Sequence, residues 1–176
     1  MKNKYIIFDR DGTLINYKPY LSNPDDVELS NGAKDFLNNL ITNSNMLFLH
    51  TNQSGVSKGY FEFSQVKSCN DHMIKLLGFK KNIFERICIA TELNLSNDSY
   101  RKPSPLFGKK ILKDYKIDKS NLIYIGDNMT DLETAHNIGC NAYGIINDRL
   151  SPNVSMNTFG FKTFKDLKKL NQYLYG

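Results

Sequence analysis

Four short polar segments carry residue types that could perform phosphoryl chemistry. The first contains Asp9 and Asp11, and the later ones contain Thr51, Lys102 and Asp127. Carboxylate oxygens are the ligands that Mg²⁺ prefers, and a phosphoryl group in transfer needs positive charge around its oxygens. A carboxylate held beside such a cation can attack phosphorus as a nucleophile. The combination therefore predicts transfer or hydrolysis of a phosphoryl group with Mg²⁺.

The residue types also suggest a division of roles. Asp9 and Asp127 are predicted to hold Mg²⁺ together with Asp11. Asp9 is the candidate nucleophile, and Asp11 is the candidate general acid and base. Thr51 is expected to offer its hydroxyl to phosphate oxygens, and Lys102 to supply a compact positive charge for the transition state.

These segments must be positioned by the elements between them, which alternate between short apolar runs and stretches of helical period. The pattern predicts strands over residues 4–8, 46–50, 83–90, 122–125 and 141–146, and helices over 33–41, 66–77, 105–115, 131–138 and 164–173. Alternating strands and helices favour a doubly wound parallel sheet in a three-layer α/β/α fold. Ligands of such sheets lie beyond the carboxyl ends of the strands, where the polar segments fall.

Composition excludes several classes of protein and leaves one question open. The chain has 176 residues, 40% hydrophobic and 23% charged, which indicates a single globular domain over residues 1–176. No window is apolar enough to cross a bilayer, and the run after the first lysines is too short for a signal peptide. We therefore expect a cytoplasmic protein with no membrane partner, and favour a monomer. The net charge of +5 keeps nucleic acid open as an alternative to a small phosphorylated substrate.

Several other residues receive structural interpretations. The three cysteines are far apart, so neither a disulfide framework nor a cysteine zinc site is indicated, and Cys69 and Cys140 are predicted to be core thiols. His50 is expected in the core or behind the site, and Asp131 is expected to cap a helix or to support Asp127. Four lysines are predicted on the solvent face of the last helix: Lys162, Lys165, Lys168 and Lys169.

The polar segments, in order, resemble the four motifs of haloacid dehalogenase (HAD) phosphatases. They are FDRDGTLIN (8–16), HTNQSGVSKGYF (50–61), YRKPSP (100–105) and GDNMTDLETAHNIGC (126–140). Within that superfamily, the first two resemble the branch of D,D-heptose 1,7-bisphosphate phosphatase and histidinol-phosphate phosphatase. The resemblance covers about residues 4–146. It implies an Mg²⁺-dependent phosphomonoester hydrolase that forms an aspartyl phosphate.

The resemblance also implies site residues and a substrate. It gives Asp9, Asp11, Thr51, Lys102 and Asp127 the roles stated above. Substrate contacts are expected from three more residues: Asn52, Gln53 and Arg101. The preferred substrate is a small sugar phosphate such as D-glycero-D-manno-heptose 1,7-bisphosphate. Histidinol phosphate, a polynucleotide 3'-phosphate and a non-catalytic phospho-acceptor domain are the alternatives.

Spacing and one departure from the pattern refine this picture. The intervals from Asp11 to Thr51 and from Thr51 to Lys102 are too short for a cap domain besides the crossovers. The loops 17–26, 55–61 and 91–100 are therefore expected to set substrate choice. Relatives in the branch carry a zinc-binding loop of cysteine and histidine residues before the arginine and lysine of the third motif. The corresponding residues 90–100 of this chain contain no cysteine or histidine. No structural zinc is predicted.

Overall fold

A six-stranded parallel sheet forms the centre of the protein. The computed structural model describes residues 1–146 and 156–176. Its strands are β1 (Tyr5–Phe8), β2 (Met46–Asn52), β3 (Phe84–Ala90), β4 (Leu122–Gly126), β5 (Asn141–Ile145) and β6 (Lys162–Phe164). The spatial order is β3-β2-β1-β4-β5-β6, and each neighbouring pair is parallel. The chain therefore leaves β1 toward one edge and β4 toward the other, which makes the crevice between them the topological switch point.

Helices cover both faces of the sheet. They are α1 (Ala33–Thr42), α2 (Phe63–Leu76), α3 (Leu106–Tyr115), α4 (Met129–Ile138) and α5 (Leu167–Tyr175). Apolar residues of α1, α2 and α5 pack in one core, and those of α3 and α4 pack in another. Successive side chains of β1 separate accordingly, because Ile6 and Phe8 join the first core and Ile7 joins the second. The predicted three-layer α/β/α fold is confirmed.

The connections leave the carboxyl edge of the sheet open. Between β1 and β4, all within the described residues, they contain only crossover helices, short 3₁₀ helices over Pro24–Asp26 and Lys119–Asn121, and loops. No element of residues 1–146 forms a separate cap over that edge. Cys69 and Cys140 are buried in the two cores, as predicted. No helix in the described part of the chain is both long and apolar enough to cross a membrane.

The C-terminal region differs from the sequence-based expectation. Residues Lys162–Phe164 form β6 beside β5, and Lys165 precedes the last helix, which spans Leu167–Tyr175. The placement of Lys162 and Lys165 on that helix was therefore wrong. Three residues are too few to show the alternating pattern by which a strand is recognised in a sequence. The strand is defined by its pairing with β5. The last helix starts later than expected because the Asp166 carboxylate caps it, accepting the backbone N–H of Lys169 at 2.8 Å. Lys168 and Lys169 are exposed on α5, as predicted.

Two boundaries beside the polar segments also shift. Strand β2 runs two residues further than predicted, so Thr51 and Asn52 belong to the strand rather than to a loop. Helix α3 has Pro105 at its N-cap position, where Ser104 was expected. Ser104 still takes part, because its hydroxyl oxygen accepts the backbone N–H of Leu106 at 3.3 Å.

Candidate active site

One cleft at the switch point gathers all the predicted site residues except Gln53. Its volume is about 350 Å³, and it opens where β1, β2 and β4 end. Its lining comprises Asp9, Asp11, Tyr17, Thr51, Asn52, Arg101, Lys102, Asp127, Asn128 and Thr130. Gln53 lines a second, adjoining cleft. The sheet topology thus brings together side chains that are more than a hundred positions apart in sequence.

Two buried carboxylates, those of Asp9 and Asp127, line this cleft, and a third, that of Asp131, lies within reach of both. Asp9 follows β1, Asp127 follows β4, and Asp131 lies in the first turn of α4. Each offers an oxygen within 4.8 Å of the other two, and their exposed fractions are 5%, 3% and 0%. Hard carboxylate oxygens at such spacing suit Mg²⁺.

Lys102 bonds two members of this group. Its Nζ donates to Oδ1 of Asp9 and to Oδ1 of Asp131, at 2.6 Å each. Burial alone would lower the pKa of Lys102, but the two carboxylates raise it well above the usual value, so the ammonium keeps its charge.

The pKa of Asp9 is shifted by its burial among these charged groups. Burial raises the pKa of Asp9, Lys102 opposes that rise, and the neighbouring Asp131 and Asp127 add to it, leaving a net shift well upward. The three carboxylates therefore crowd negative charge around Asp9. A divalent cation among their oxygens would balance it.

Asp131 does more than the sequence indicated. Its expected capping role is confirmed, because Oδ2 accepts the backbone N–H of Asn128 at 2.9 Å at the start of α4. Its other oxygen holds Lys102, a contact that sequence reasoning missed. The available signal was its place in the first turn of the helix that follows Asp127.

Gly126 is what lets Asp131 come so close to the end of β4. A Cβ atom at Gly126 would lie 2.4 Å from the Cβ, Cγ and Oδ2 atoms of Asp131. Such a contact is far inside van der Waals distance, so no other residue fits there without movement of Asp131.

Asp11 faces a different set of partners. Its Oδ2 accepts bonds from Thr51 Oγ1 at 3.2 Å and from Gln53 Nε2 at 2.7 Å. The guanidinium of Arg10 donates to both of its oxygens, at 3.1 and 3.0 Å. Arg10 is fully buried and also bonds Asn70 of α2 at 2.8 Å. The carboxylate of Asp11 is not among the three that approach one another, so its role as a metal ligand stays a prediction.

Two residues predicted to contact phosphate or substrate instead brace Asp11 in this structure. The Thr51 hydroxyl donates to Asp11 and accepts from Gln53 Nε2 at 2.8 Å. Gln53 therefore links both partners through one amide. Arg10 had no assigned role, although a cation flanked by two aspartates was a visible signal. Direct contact of Thr51 and Gln53 with substrate remains a prediction.

Asn52 and Arg101 are held by backbone contacts near the cleft. Asn52 Oδ1 accepts the backbone N–H of Lys102 at 2.9 Å, and its Nδ2 donates to the Lys102 carbonyl at 3.2 Å. The Arg101 guanidinium donates to the carbonyl of Glu92 at 3.2 Å. Both residues line the cleft, and their predicted contacts with substrate are not yet tested.

The second cleft, of about 270 Å³, is built from two of the three loops expected to set substrate choice. Its lining comprises Asp11, Tyr17, Lys18, Tyr20, Leu21, Asn52, Gln53, Ser54, Gly55 and Phe61. At its rim, the rings of Tyr20 and Tyr60 meet edge to face with centroids 4.7 Å apart. Lys58 Nζ lies 3.2 Å from the Tyr20 hydroxyl and over both rings. Asp11, Tyr17 and Asn52 line both clefts, so the two adjoin each other.

Comparison with known proteins places the chain in a family. The model of the family described as polynucleotide kinase 3 phosphatase matches residues 4–145. The chain belongs to this phosphatase family of the HAD superfamily. It is 27% identical to D-glycero-alpha-D-manno-heptose-1,7-bisphosphate 7-phosphatase of Campylobacter jejuni, over 97% of this chain and 95% of that protein. It is 31% identical to D-glycero-beta-D-manno-heptose-1,7-bisphosphate 7-phosphatase of Haemophilus influenzae, over 74% of each chain.

A solved structure shows the same fold. D,D-heptose 1,7-bisphosphate phosphatase of B. bronchiseptica, complexed with magnesium and phosphate, superposes with a TM-score of 0.80. The match covers 97% of each chain at 23% sequence identity. The predicted resemblance to HAD phosphatases of the heptose bisphosphate branch is confirmed by these findings.

Proposed function

We propose that this HAD phosphatase hydrolyses a small sugar phosphate with Mg²⁺ through an aspartyl phosphate on Asp9. The carrying observation is the buried Asp9 carboxylate beside Asp127 at the switch point, bonded to a lysine that it shares with Asp131. The preferred substrate is D-glycero-D-manno-heptose 1,7-bisphosphate, because two relatives that match most of the chain act on it by name.

Mg²⁺ fits the donors that this chain offers. Asp9 and Asp127 are the proposed ligands, and Asp131 brings a third oxygen within reach. Asp11 remains a proposed ligand through its backbone carbonyl oxygen, which leaves its carboxyl group for proton transfer. The magnesium and phosphate held by the similarly folded structure support this assignment. Bound there, Mg²⁺ would offset the repulsion between carboxylate and phosphate and the charge on the phosphoryl oxygens.

Asp9 and Asp11 take part in both chemical steps, which are the attack on phosphorus and the hydrolysis of the aspartyl phosphate. An oxygen of Asp9 forms a bond to phosphorus, and the bond to the leaving oxygen breaks as protonated Asp11 gives that oxygen its proton. Asp11 next takes a proton from the water that attacks the phosphorus, the bond to Asp9 breaks, and inorganic phosphate leaves. Lys102 keeps its charge beside Asp9 in both steps and stabilises the phosphoryl oxygens. Thr51 orients Asp11 through its hydroxyl.

We propose that the second cleft receives the remainder of the substrate. It adjoins the reacting centre at Tyr17. Lys18 lines it, and Lys58 contacts Tyr20 of its lining, so both lysines would attract a second phosphate. Lys18 is already paired with Asp26 at 2.7 Å, whereas the Lys58 ammonium contacts the Tyr20 hydroxyl, so Lys58 is the cation better placed to bind that phosphate. The loops 17–26 and 55–61 would thus set substrate choice.

A kcat/KM panel tests the proposal. It compares both anomers of heptose 1,7-bisphosphate with heptose 7-phosphate, histidinol phosphate and a 3'-phosphorylated oligonucleotide, each with Mg²⁺. We expect a heptose bisphosphate to be the best substrate and Lys58→Ala to lower its kcat/KM about 10-fold, the value of a charged hydrogen bond. Lys67→Ala, which removes an exposed lysine of α2, is the matched control. Preference for heptose 7-phosphate, or equal effects of the two variants, would contradict the assignment of the second cleft.

Removal of a 3'-phosphate from nucleic acid is the second candidate function. The description of the matching family, the net charge of +5 and the Tyr20–Tyr60–Lys58 rim favour it. Aromatic rings can stack on bases, and lysines can contact backbone phosphates. If the oligonucleotide is used most efficiently and its kcat/KM falls steeply from low to high salt, this candidate replaces the sugar phosphate.

We also propose that the enzyme needs no structural zinc. In the loop before Arg101, the carboxylate of Glu92 accepts the backbone N–H of Tyr100 at 2.8 Å and the hydroxyl of Ser99 at 3.4 Å. These bonds brace the loop with oxygen and nitrogen groups rather than thiolates. Metal analysis of the purified protein should find no stoichiometric zinc, and one zinc per chain would overturn this proposal.

A further inference from the structure

His50 lies fully buried in β2, directly behind the reacting centre. Its Nε2 is 2.8 Å from the carbonyl oxygen of Tyr100, and its Nδ1 is 3.0 Å from the hydroxyl oxygen of Tyr124. A carbonyl oxygen can only accept, so Nε2 carries the ring proton. Nδ1 of the neutral ring is then an acceptor, and Tyr124 must donate to it. The two partners together fix one tautomer.

The surroundings keep both groups in these protonation states. Burial, and then the positive charge of Lys102, lower the pKa of His50 to about 3. Burial also raises the pKa of Tyr124 well above its usual value, so its hydroxyl keeps the proton that it donates. The ring of Phe107 packs against the imidazole with centroids 5.0 Å apart. The imidazole is thus a fixed, uncharged donor.

Asn52 stands two positions along the same strand and contacts the same partner segment. Side chains at this spacing share a face of the sheet. His50 bonds the carbonyl of Tyr100, while Asn52 bonds both the N–H and the carbonyl of Lys102. Three hydrogen bonds from one face of β2 therefore hold the backbone from Tyr100 to Lys102.

These hydrogen bonds to the backbone matter because the side chain of Lys102 is a flexible stem of four carbons. The point where its ammonium lies is set by where its backbone begins and by what Nζ contacts. At the far end, Nζ of Lys102 bonds Asp9 and Asp131 at 2.6 Å. At the near end, the side chain of Asn52 bonds the backbone of Lys102, and His50 bonds the carbonyl of Tyr100 two residues earlier.

We propose that His50 and Asn52 are positioning residues that set the place of the Lys102 ammonium relative to Asp9. Tyr124 acts through His50, by holding its tautomer and ring orientation from the neighbouring part of the sheet. The kinetic consequence rests on the proposed phosphoryl transfer, but the hydrogen-bond arrangement itself does not. Glu92 contacts the other side of the segment through Tyr100, so loss of the His50 bond should displace the segment rather than release it.

Two variants of His50 distinguish the effect of its N–H donor from the effect of its ring. His50→Phe keeps a planar ring and removes the donor, whereas His50→Gln keeps an N–H near the position of Nε2. With p-nitrophenyl phosphate and Mg²⁺, we expect His50→Phe to lower kcat about 10- to 100-fold, as displacements near 1 Å do. KM should change less than about 3-fold, and His50→Gln should recover most of kcat.

Phe107→Leu is the matched control, since it disturbs packing on the same ring without removing a hydrogen bond. We expect it to lower the melting temperature while leaving kcat nearly unchanged. If His50→Phe lowers the melting temperature and, like Phe107→Leu, leaves kcat nearly unchanged, the role is structural and the proposal fails.

A measurement without turnover tests the geometry directly. Long-range ¹H–¹⁵N correlation spectra of the wild-type protein should show His50 as the neutral tautomer with its proton on Nε2. In Tyr124→Phe this signature should broaden or shift, because Nδ1 loses its partner. A protonated ring or the Nδ1–H tautomer in the wild type would overturn the proposal. Absence of phosphatase activity in a protein with the expected tautomer would instead overturn the proposed function.

Discussion

Asp9 and Asp11 stand two residues apart and meet opposite environments. Asp9 is buried beside two other carboxylates and one ammonium, and burial with those carboxylates raises its pKa. Asp11 accepts hydrogen bonds from a guanidinium, a hydroxyl and an amide. One carboxylate is crowded by negative charge, and the other is surrounded by donors.

The contrast shows that neighbouring elements, more than the local motif, assign chemical roles. The partners of Asp9 come from α4, the end of β4 and the Lys102 segment. Those of Asp11 come from β2 and, through Arg10, from α2. Asp9 is thereby placed where a cation and a phosphate would meet, and Asp11 where its orientation is fixed. The following predictions test that division, from the largest expected effect to the smallest.

Asp9→Asn should abolish turnover, lowering kcat by at least about 10⁴-fold, since an amide cannot attack phosphorus. The fold should persist, and the melting temperature at neutral pH should stay equal or rise because one of the crowded charges is removed. Steady-state hydrolysis of p-nitrophenyl phosphate and a thermal melt check both parts. Substantial Mg²⁺-dependent turnover by this variant would sink the assignment of Asp9 as nucleophile.

Asp11→Asn should slow turnover about 10²- to 10⁴-fold, the usual contribution of a general acid and base. With p-nitrophenyl phosphate, whose leaving group needs little protonation, we expect a burst of one p-nitrophenolate per enzyme followed by slow release of phosphate. Rapid-quench measurement resolves the two phases. Asp71→Asn, at an exposed aspartate of α2, is the control. A uniform loss of both phases in Asp11→Asn would remove the distinction between the two carboxylates.

Gly126→Ala should disturb the surroundings of Asp9 and leave the hydrogen bonds of Asp11 unchanged. Its Cβ would meet Asp131 at 2.4 Å, so we expect the free energy of unfolding to fall by about 1–3 kcal/mol. Because Asp131 holds Lys102, kcat should fall as well. Gly160→Ala has a positive φ of 72° but nothing within 4 Å, and should cost only about 1 kcal/mol of backbone strain without loss of kcat. Urea unfolding and kcat compare them.

The pH dependence of stability tests the crowding of Asp9. A carboxyl whose pKa is raised in the folded state contributes stability that is complete below its unfolded value of 3.8 and is lost as pH rises through the folded value. Without added metal, the free energy of unfolding of the wild type relative to Asp9→Asn should therefore decrease as pH rises above 3.8. Urea titrations across that range measure it, and Mg²⁺ should suppress the decrease. A difference that grows with pH would contradict the raised pKa.

Much of the fold was predictable from single segments. Strands such as β1 and β4 are short apolar runs followed by charged or small polar residues, and helices such as α1 show a clear helical period. Strand β6 was not predictable, because three residues carry no period and their pairing with β5 comes from distant sequence. The bounds of α3 and α5 moved because capping depends on local geometry.

The site was predictable in its members and not in its contacts. Sequence order placed Asp9, Thr51, Lys102 and Asp127 at one edge, since parallel strands end together. The sequence did not show which side-chain oxygen of the site accepts a hydrogen bond from which donor. Asn52 was expected to face substrate and bonds the backbone of Lys102, and Asp131 was expected only to cap or support and also bonds its ammonium.

By itself, the sequence determined the family, the doubly wound sheet and the residue types at its carboxyl edge. Those properties follow from periodicity and from motifs read along one chain. The tertiary structure alone decided that Asp9 shares Lys102 with Asp131, that Asp11 turns toward Arg10 and Thr51, and that His50 lies behind the lysine. Such contacts join strands and helices distant in sequence, so side-chain direction and burial settle them only after the sheet has formed.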